Sequence, residues 1–283
     1  MIWKIRNREI LCDRTLLMGI LNLTPDSFSD GGRFLGPEKA VSRALQMVEE
    51  GADILDLGGE STRPGAQPVR MEEELSRIFP VLKCLRREAD LPISIDTTKP
   101  EVAKICLEEG AHIINDVSGL REGGAEMAEV IRSFGAGLIL MHRRGNAQTM
   151  QSLADYEDVV TEVMEELHGS MKRALDGGLS EEQLVVDPGL GFAKATEHNI
   201  QILKSLERFH ALGRPILLGP SRKSFIGEIT GRGVGEREYG TAAVVAMAVE
   251  KGVHLLRVHE VKPMRDVVRT MEILCGDRYV RAL

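Results

Sequence analysis

Aromatic residues make up only 4% of this 283-residue chain, so its core must be mostly aliphatic. Cysteine is also scarce. Cys12, Cys84, Cys106 and Cys275 include no C-x-x-C pair, which leaves neither a zinc-site spacing nor a redox motif, and they read as reduced structural thiols. A basic excess is missing: the net charge of -7 argues against a nucleic-acid surface, so any anionic substrate must be gripped by local cations. No apolar stretch approaches the roughly 18 residues of a membrane span. The segment Met1 to Arg6 carries charges too early for a signal peptide, and a soluble cytoplasmic protein with no membrane partner is expected. Walker A, H-E-x-x-H, G-x-S-x-G and a complete G-x-G-x-x-G after a strand are all absent, which removes support for nucleotide hydrolysis and zinc peptidase chemistry. Low-complexity tracts and linkers are absent too, so residues 1–283 read as one domain.

What is present is a repeat. Eight short apolar runs, almost all ending in a polar residue, are each followed by a longer amphipathic stretch. They are Leu16 to Asn22, Ile54 to Gly58, Pro92 to Asp96, His112 to Asp116, Leu138 to His142, Leu184 to Asp187, Ile216 to Lys223 and Leu255 to His259. Strand–helix alternation of this length predicts a closed (β/α)8 TIM barrel, with the active site at the carboxyl ends of the strands. Helices are expected near 38–50, 71–88, 99–109, 125–133, 158–176, 197–210, 239–251 and 262–274. Pro37 and Pro100 fall where a first helical turn tolerates proline, while Gly51, Gly110, Gly177 and Gly252 fall where helices stop. Ahead of the repeat, Ile2 to Ile5 and Glu9 to Cys12 alternate in polarity around Asn7-Arg8, which reads as a β-hairpin plugging the amino-terminal mouth. Two Gly/Pro/Ser-rich loops, Thr24 to Gly36 and Gly58 to Val69, follow the first two strands and are candidate lids.

The strand ends carry the chemistry. Asp96, Asn115 and Asp187 place acceptors after strands three, four and six, and Lys223 places a donor after strand seven. A helix cap or surface charge explains any one of them alone; four at equivalent positions indicate a site for a flat heteroaromatic ligand with amide and amine edges. Arg257 and His259, two residues apart on strand eight, project from one face as an anion clamp of the kind common near the last strands of this fold. Asn22, ending strand one, is positioned to complete the phosphate site or to coordinate Mg²⁺. Met141 reads as ring packing or core, and His142 as structural.

Local sequences then become recognisable. Gly19-Ile20-Leu21-Asn22-Leu23-Thr24-Pro25-Asp26-Ser27-Phe28-Ser29-Asp30-Gly31-Gly32 resembles a signature of dihydropteroate synthases. Further matches follow in order: Asp56 to Gly65, Ser94 to Thr97, Ile114 to Ser118, Asp187 to Phe192, Ser221 to Phe225 and Arg257 to His259, so that roughly residues 15 to 275 are covered. The resemblance implies an enzyme, a transferase of folate biosynthesis, that joins 4-aminobenzoate to 6-hydroxymethyl-7,8-dihydropterin diphosphate with release of diphosphate. By analogy Asp96, Asn115, Asp187, Lys223 and Met141 hold the pterin, and Asn22, Arg257 and His259 serve the diphosphate, with Asn22 on Mg²⁺. Thr62, Arg63, Pro64, Phe192 and Ser224, with Lys223, form the aminobenzoate pocket that sulfonamides occupy in this family. A homodimer is implied as well.

Charge neutralisation by Arg257, His259 and Mg²⁺ would assist departure of the diphosphate, and an SN1-like cation at the pterin methylene would be stabilised by Asp96. The arylamine needs positioning more than deprotonation. The chain departs from the pattern at Arg143, and at Ala193, where a glycine is common. Rival readings are a pterin-binding methyltransferase domain, a catalytically silent paralogue and a Schiff-base aldolase built on Lys223.

Overall fold

The barrel is assembled in chain order from parallel strands whose apolar residues face both ways. The computed structural model describes residues 1–24 and 37–276. Most of the first candidate lid, Pro25 to Gly36, and the corresponding part of the signature lie outside the described residues. A hairpin of β1 (Ile2–Ile5) and β2 (Arg8–Leu11) comes first. The barrel strands are β3 (Leu16–Asn22), β4 (Ile54–Gly58), β5 (Ile93–Asp96), β6 (Ile113–Asp116), β7 (Gly137–Met141), β8 (Leu184–Asp187), β9 (Leu217–Leu218) and β10 (Leu255–Val258). Helices α1 (Pro37–Glu49), α2 (Met71–Glu88), α3 (Pro100–Glu108), α4 (Gly124–Phe134), α5 (Val159–Asp176), α6 (Thr196–Lys204), α7 (Ser224–Thr230), α8 (Glu238–Glu250) and α9 (Val261–Leu274) alternate with them. β3 to β8 pair in sequence, and β10 pairs with both β3 and β9. The ring is completed between β8 and β9 by one bridge, Val186 to Ile216, and by the Val186 N–H donating to Pro215 O at 3.0 Å. The (β/α)8 barrel and its amino-terminal hairpin are therefore as the repeat predicts.

The two-residue period of a strand divides the core. Leu17, Leu21, Leu55, Leu57, Leu138, Leu140, Leu184 and Val186 join the helices in one aliphatic cluster. Met18, Ile54, Ile113, Ile139, Val185, Leu217 and Leu255 form a second cluster inside the barrel, packed on Trp3, Ile5 and Cys12 of the hairpin region. The hairpin thus seals the lower interior, and the Trp3 indole N–H donates to Gln183 O at 2.8 Å.

The region around β9 departs from expectation. The run Ile216 to Lys223 was expected as strand, yet β9 ends at Leu218. Gly219-Pro220 follows, proline has no N–H for the ladder, and Arg222 takes a left-handed φ of 59°. Lys223 therefore stands at the N-cap of α7, a short helix that the periodicity did not reveal. The single helix expected over 197–210 is also divided, with α6 giving way to a 3₁₀ stretch at 206–212.

Gly137, where β7 meets the plug, has no room for a side chain: a Cβ there would lie 2.5 Å from Ile5 Cγ2 and 3.0 Å from Trp3 Nε1. Gly137→Ala is expected to cost about 1–3 kcal/mol through overpacking. Urea unfolding followed by fluorescence of Trp3, the only tryptophan, measures it.

Candidate active site

Above the apolar layer the barrel interior turns polar. Asp56 on β4, Asp96 on β5, Asn115 on β6 and Arg257 on β10 converge there. Arg257 Nε donates to Asp56 Oδ2 at 2.6 Å, and Nη2 donates to Asp96 Oδ2 at 2.8 Å. Asn115 Nδ2 also donates to Asp56 Oδ2, at 3.2 Å. Asp56 is fully buried, and its Oδ1 has no partner. Burial pushes Asp96 up from the usual carboxylate range while Arg257 opposes the rise. Burial alone would pull the Arg257 guanidinium down, but Asp56 and Asp96 outweigh it and hold the charge in place. Arg257 therefore points inward onto two carboxylates rather than standing free at the rim.

Asp187 ends β8, opposite Met141 in the register. Its Oδ1 accepts the Gly189 N–H at 2.7 Å, and its other oxygen makes no hydrogen bond among the described residues. Burial pushes this carboxyl up to about 6, against the Gly189 bond and Lys223. Lys223 is pulled down to about 8 by burial, opposed by Asp187, and its Nζ lies 4.1 Å from the centroid of the Phe192 ring. Asp187, Lys223 and Phe192 are thus brought together even though Lys223 lies outside a strand.

The loop carrying Phe192 is held from beneath by a network that the sequence reading did not find. Lys194 is buried, and its Nζ donates to Gly189 O at 3.0 Å and Phe192 O at 2.9 Å, and lies 2.8 Å from His142 Nδ1. With Nδ1 accepting, His142 carries its proton on Nε2, which is 3.3 Å from Glu166 Oε2. Burial, then the Lys194 charge, pushes His142 down to about 3 and keeps it neutral. Glu166 in turn binds Arg121 and Arg144. Between Phe192 and Lys194, Ala193 adopts φ 50°, the left-handed conformation that explains why glycine suits this position, at a cost of about 1–2 kcal/mol. Arg143, the other departure from the family pattern, is buried beside the mouth and pairs with Glu122.

At the rim, His259 lies just past β10, with Nδ1 2.8 Å from Ser221 Oγ. Burial first, and then the charges of Arg222, Arg257, Arg63 and Lys223, push it down to about 3. Thr62, Arg63 and Pro64 occupy the loop after β4, which is tied down by the Gly65 N–H donating to Ala147 O at 2.8 Å. Lys99 fastens the base of that loop by binding Glu60 and Glu74. Ser224 is exposed at the first turn of α7, and Asn22 is half-buried at the end of β3, its side chain making no hydrogen bond among the described residues. Asp56, Lys194, Glu166 and Ser221 are additions to the sequence-derived set. Asp56 carried a local signal, as a lone charge within the apolar run Ile54 to Leu57, and both it and Ser221 open segments that resemble family motifs, whereas Lys194 and Glu166 carried none.

Residues 18–259 match the family model described as pterin binding enzyme. A dihydropteroate synthase of Synechocystis sp. is 47% identical over 262 residues, covering 92% of this chain and 90% of that protein. The chain belongs to the dihydropteroate synthase family. The structure of the Xanthomonas albilineans dihydropteroate synthase with 4-aminobenzoic acid superposes with a TM-score of 0.90 at 41% identity, covering 98% of this chain and 99% of that one. That of the Yersinia pestis enzyme with a sulfonamide drug gives 0.92 at 36%, covering 97% and 99%.

Replacing Arg257 by Leu leaves Asp56 and Asp96 buried without a counter-charge, which is expected to cost about 3–5 kcal/mol at neutral pH. Burial already holds the folded pKa of Asp96 above its unfolded value, and without the opposing Arg257 it rises further, so its protonation on acidification relieves part of the penalty. Urea unfolding at pH 5 and pH 8 should give a smaller loss at the lower pH.

Proposed function

We propose that this chain condenses 6-hydroxymethyl-7,8-dihydropterin diphosphate with 4-aminobenzoate to give 7,8-dihydropteroate and diphosphate. One observation carries the reading. After internal pairing, Asp96 Oδ1, Asn115 Oδ1 and one oxygen of Asp187 make no hydrogen bond among the described residues, and Lys223 is a donor close by. Three acceptors and one cationic donor around an enclosed mouth complement the N–H-rich edge and carbonyl of an amino-pyrimidine ring. Met141 packs against one face of that ring.

The diphosphate tail projects toward the rim, where Arg63, Arg222 and Lys223 surround neutral His259. An arriving anion raises the proton affinity of that imidazole, so His259 can share a proton with the leaving group. As the C–O bond to diphosphate breaks, the methylene carbon takes up positive charge in an SN1-like step, over a layer with more carboxylates than cations. The arylamine nitrogen supplies the electron pair for the new C–N bond and then loses its proton. Thr62, Arg63, Pro64, Phe192 and Ser224 orient 4-aminobenzoate for that attack, with the Phe192 ring fixed through Lys194.

Among the described residues no group of three His, Cys, Asp or Glu side chains could hold a metal ion. Asn22, whose side-chain amide makes no hydrogen bond among the described residues, would hold Mg²⁺ together with the substrate's own oxygens. When bound, Mg²⁺ neutralises charge growing on the departing diphosphate.

A homodimer is supported by α8, which is largely apolar around its circumference yet leaves Tyr239, Ala243 and Met247 exposed, with Ile229 and Val234 exposed just ahead of it in the chain. Four unpaired cysteines support a cytoplasmic setting. Among the described residues, no helix is long and apolar enough to cross a membrane.

Purified protein given the dihydropterin diphosphate and Mg²⁺ should release diphosphate and form dihydropteroate, identified by mass, when 4-aminobenzoate is added. Tight pterin binding without condensed product would refute the synthase reading. Asp187→Asn should weaken pterin binding by about 1–3 kcal/mol, because an amide offers a donor where an acceptor is needed. Protonation removes the same acceptor, so wild-type pterin affinity should fall as pH drops below about 6, and the Asn variant should show a weaker dependence there, the part that remains coming from Asp96. Calorimetry across pH 5 to 8 reads both effects.

A further inference from the structure

The opposite end of the barrel holds a second cleft, of about 580 Å³, lined in part by Arg6, Arg8, Arg86, His112 and Phe134. None of the described residues lining it is acidic, although the chain carries a net charge of -7; Asp90 lies near enough to act on Arg8, Arg86 and His112. Arg6, at the tip of the β1–β2 hairpin, donates to two backbone carbonyls, Leu107 O at 2.8 Å and Ala111 O at 2.9 Å, and lies 5.6 Å from the Phe134 ring centroid. Arg8 pairs with Asp90, whose side chain is 88% exposed, so that pair is worth little and can be exchanged for another anion. Arg86 makes no hydrogen bond or ion pair among the described residues. It lies across Gly110, where a Cβ would come within 2.7 Å of its Nε.

His112 lines the same cleft. It is 3% exposed, and its Nδ1 accepts the Ile93 N–H at 3.3 Å. The ring proton is therefore on Nε2, a donor with no partner among the described residues. Three guanidinium groups and the imidazole N–H of a largely buried histidine line one space, with their mutual repulsion offset by the solvent-exposed carboxylate of Asp90. A tetrahedral oxyanion satisfies all of them, since its oxygens accept from planar guanidinium forks and from N–H donors at once.

We infer that this cleft is a binding site for a phosphoryl group, with Arg86 and His112 Nε2 as principal donors and Arg6 and Arg8 closing around it. A phosphate there joins the hairpin, the end of α2 and the strand start at β6. It therefore stabilises the plug that seals the barrel. The Phe134 ring provides an apolar wall for the carrier of a phosphate ester.

The test uses the full chain with ¹⁵N-labelled histidine. Titration with inorganic phosphate should move the His112 imidazole resonances saturably and raise the melting temperature with phosphate concentration. Arg86→Gln, which disturbs no hydrogen bond or ion pair among the described residues, should weaken the His112 response about tenfold or more while leaving turnover measured without phosphate unchanged. Arg8→Gln serves as a second variant and should also weaken it. AMP and adenosine separate the ligand sources: AMP binding more tightly than phosphate indicates an esterified aromatic ligand, and equal binding indicates free phosphate. Phosphate that leaves His112 unmoved, or that moves it equally in wild type and both variants, overturns the site.

Discussion

The polar half of the barrel depends on one guanidinium. Arg257 reaches across the interior from the last strand to Asp56 and Asp96 on the second and third barrel strands, and without it two buried carboxylates would face each other unpaired. The neutralisation is incomplete, because Asp56, Asp96 and Asp187 outnumber Arg257 and Lys223 in that layer. Acceptor capacity is left over at depth, whereas at the rim the charges of Arg63 and of Arg222, itself paired with Glu260, act on His259. The site therefore has a field gradient along the barrel axis. It suits a ligand whose ring is rich in N–H donors and whose tail is a polyanion, held head inward.

The lower half makes that gradient strong. Met18, Ile54, Ile113, Ile139, Val185, Leu217 and Leu255, closed off by Trp3 and Ile5, keep water from entering below the charged layer. In such surroundings desolvation is the leading cause of the shifts at Asp96, Asp187 and Lys223 alike. Precision near the loops comes from a different device, the bonds from Lys194 to the carbonyls of Gly189 and Phe192, which fix an otherwise left-handed turn.

Much of this is legible in the sequence because strand period and barrel geometry act together. Apolar runs that end in polar residues must present them at or near the mouth, so Asp96 and Asp187 can be found without coordinates at the ends of their runs, and Asn115 one residue before the end of its own. Asp56 sits two residues before its strand ends and looks like part of a buried stave. Its partners lie 59 and 201 residues away. Lys194 escapes for the same reason, since local spacing says nothing of His142 and Glu166. Arg257 and His259 look equivalent by alternation, but the end of β10 falls between them, and one turns inward while the other meets Ser221. At β9 the apolar pattern overstates the strand because Pro220 cannot donate to a ladder.

That short strand also sets the mechanical character of the barrel. β8 and β9 are joined by a single bridge and the Pro215 contact, whereas β3 and β4 share five register pairs. Few ladder bonds mean a low local opening free energy, so this seam is the compliant stave of an otherwise stiff cylinder. Asp187 stands on one side of it and Lys223 follows from the other. The width between their side chains can therefore adjust to what lies between them, while the Arg257 brace across the ring keeps its dimensions.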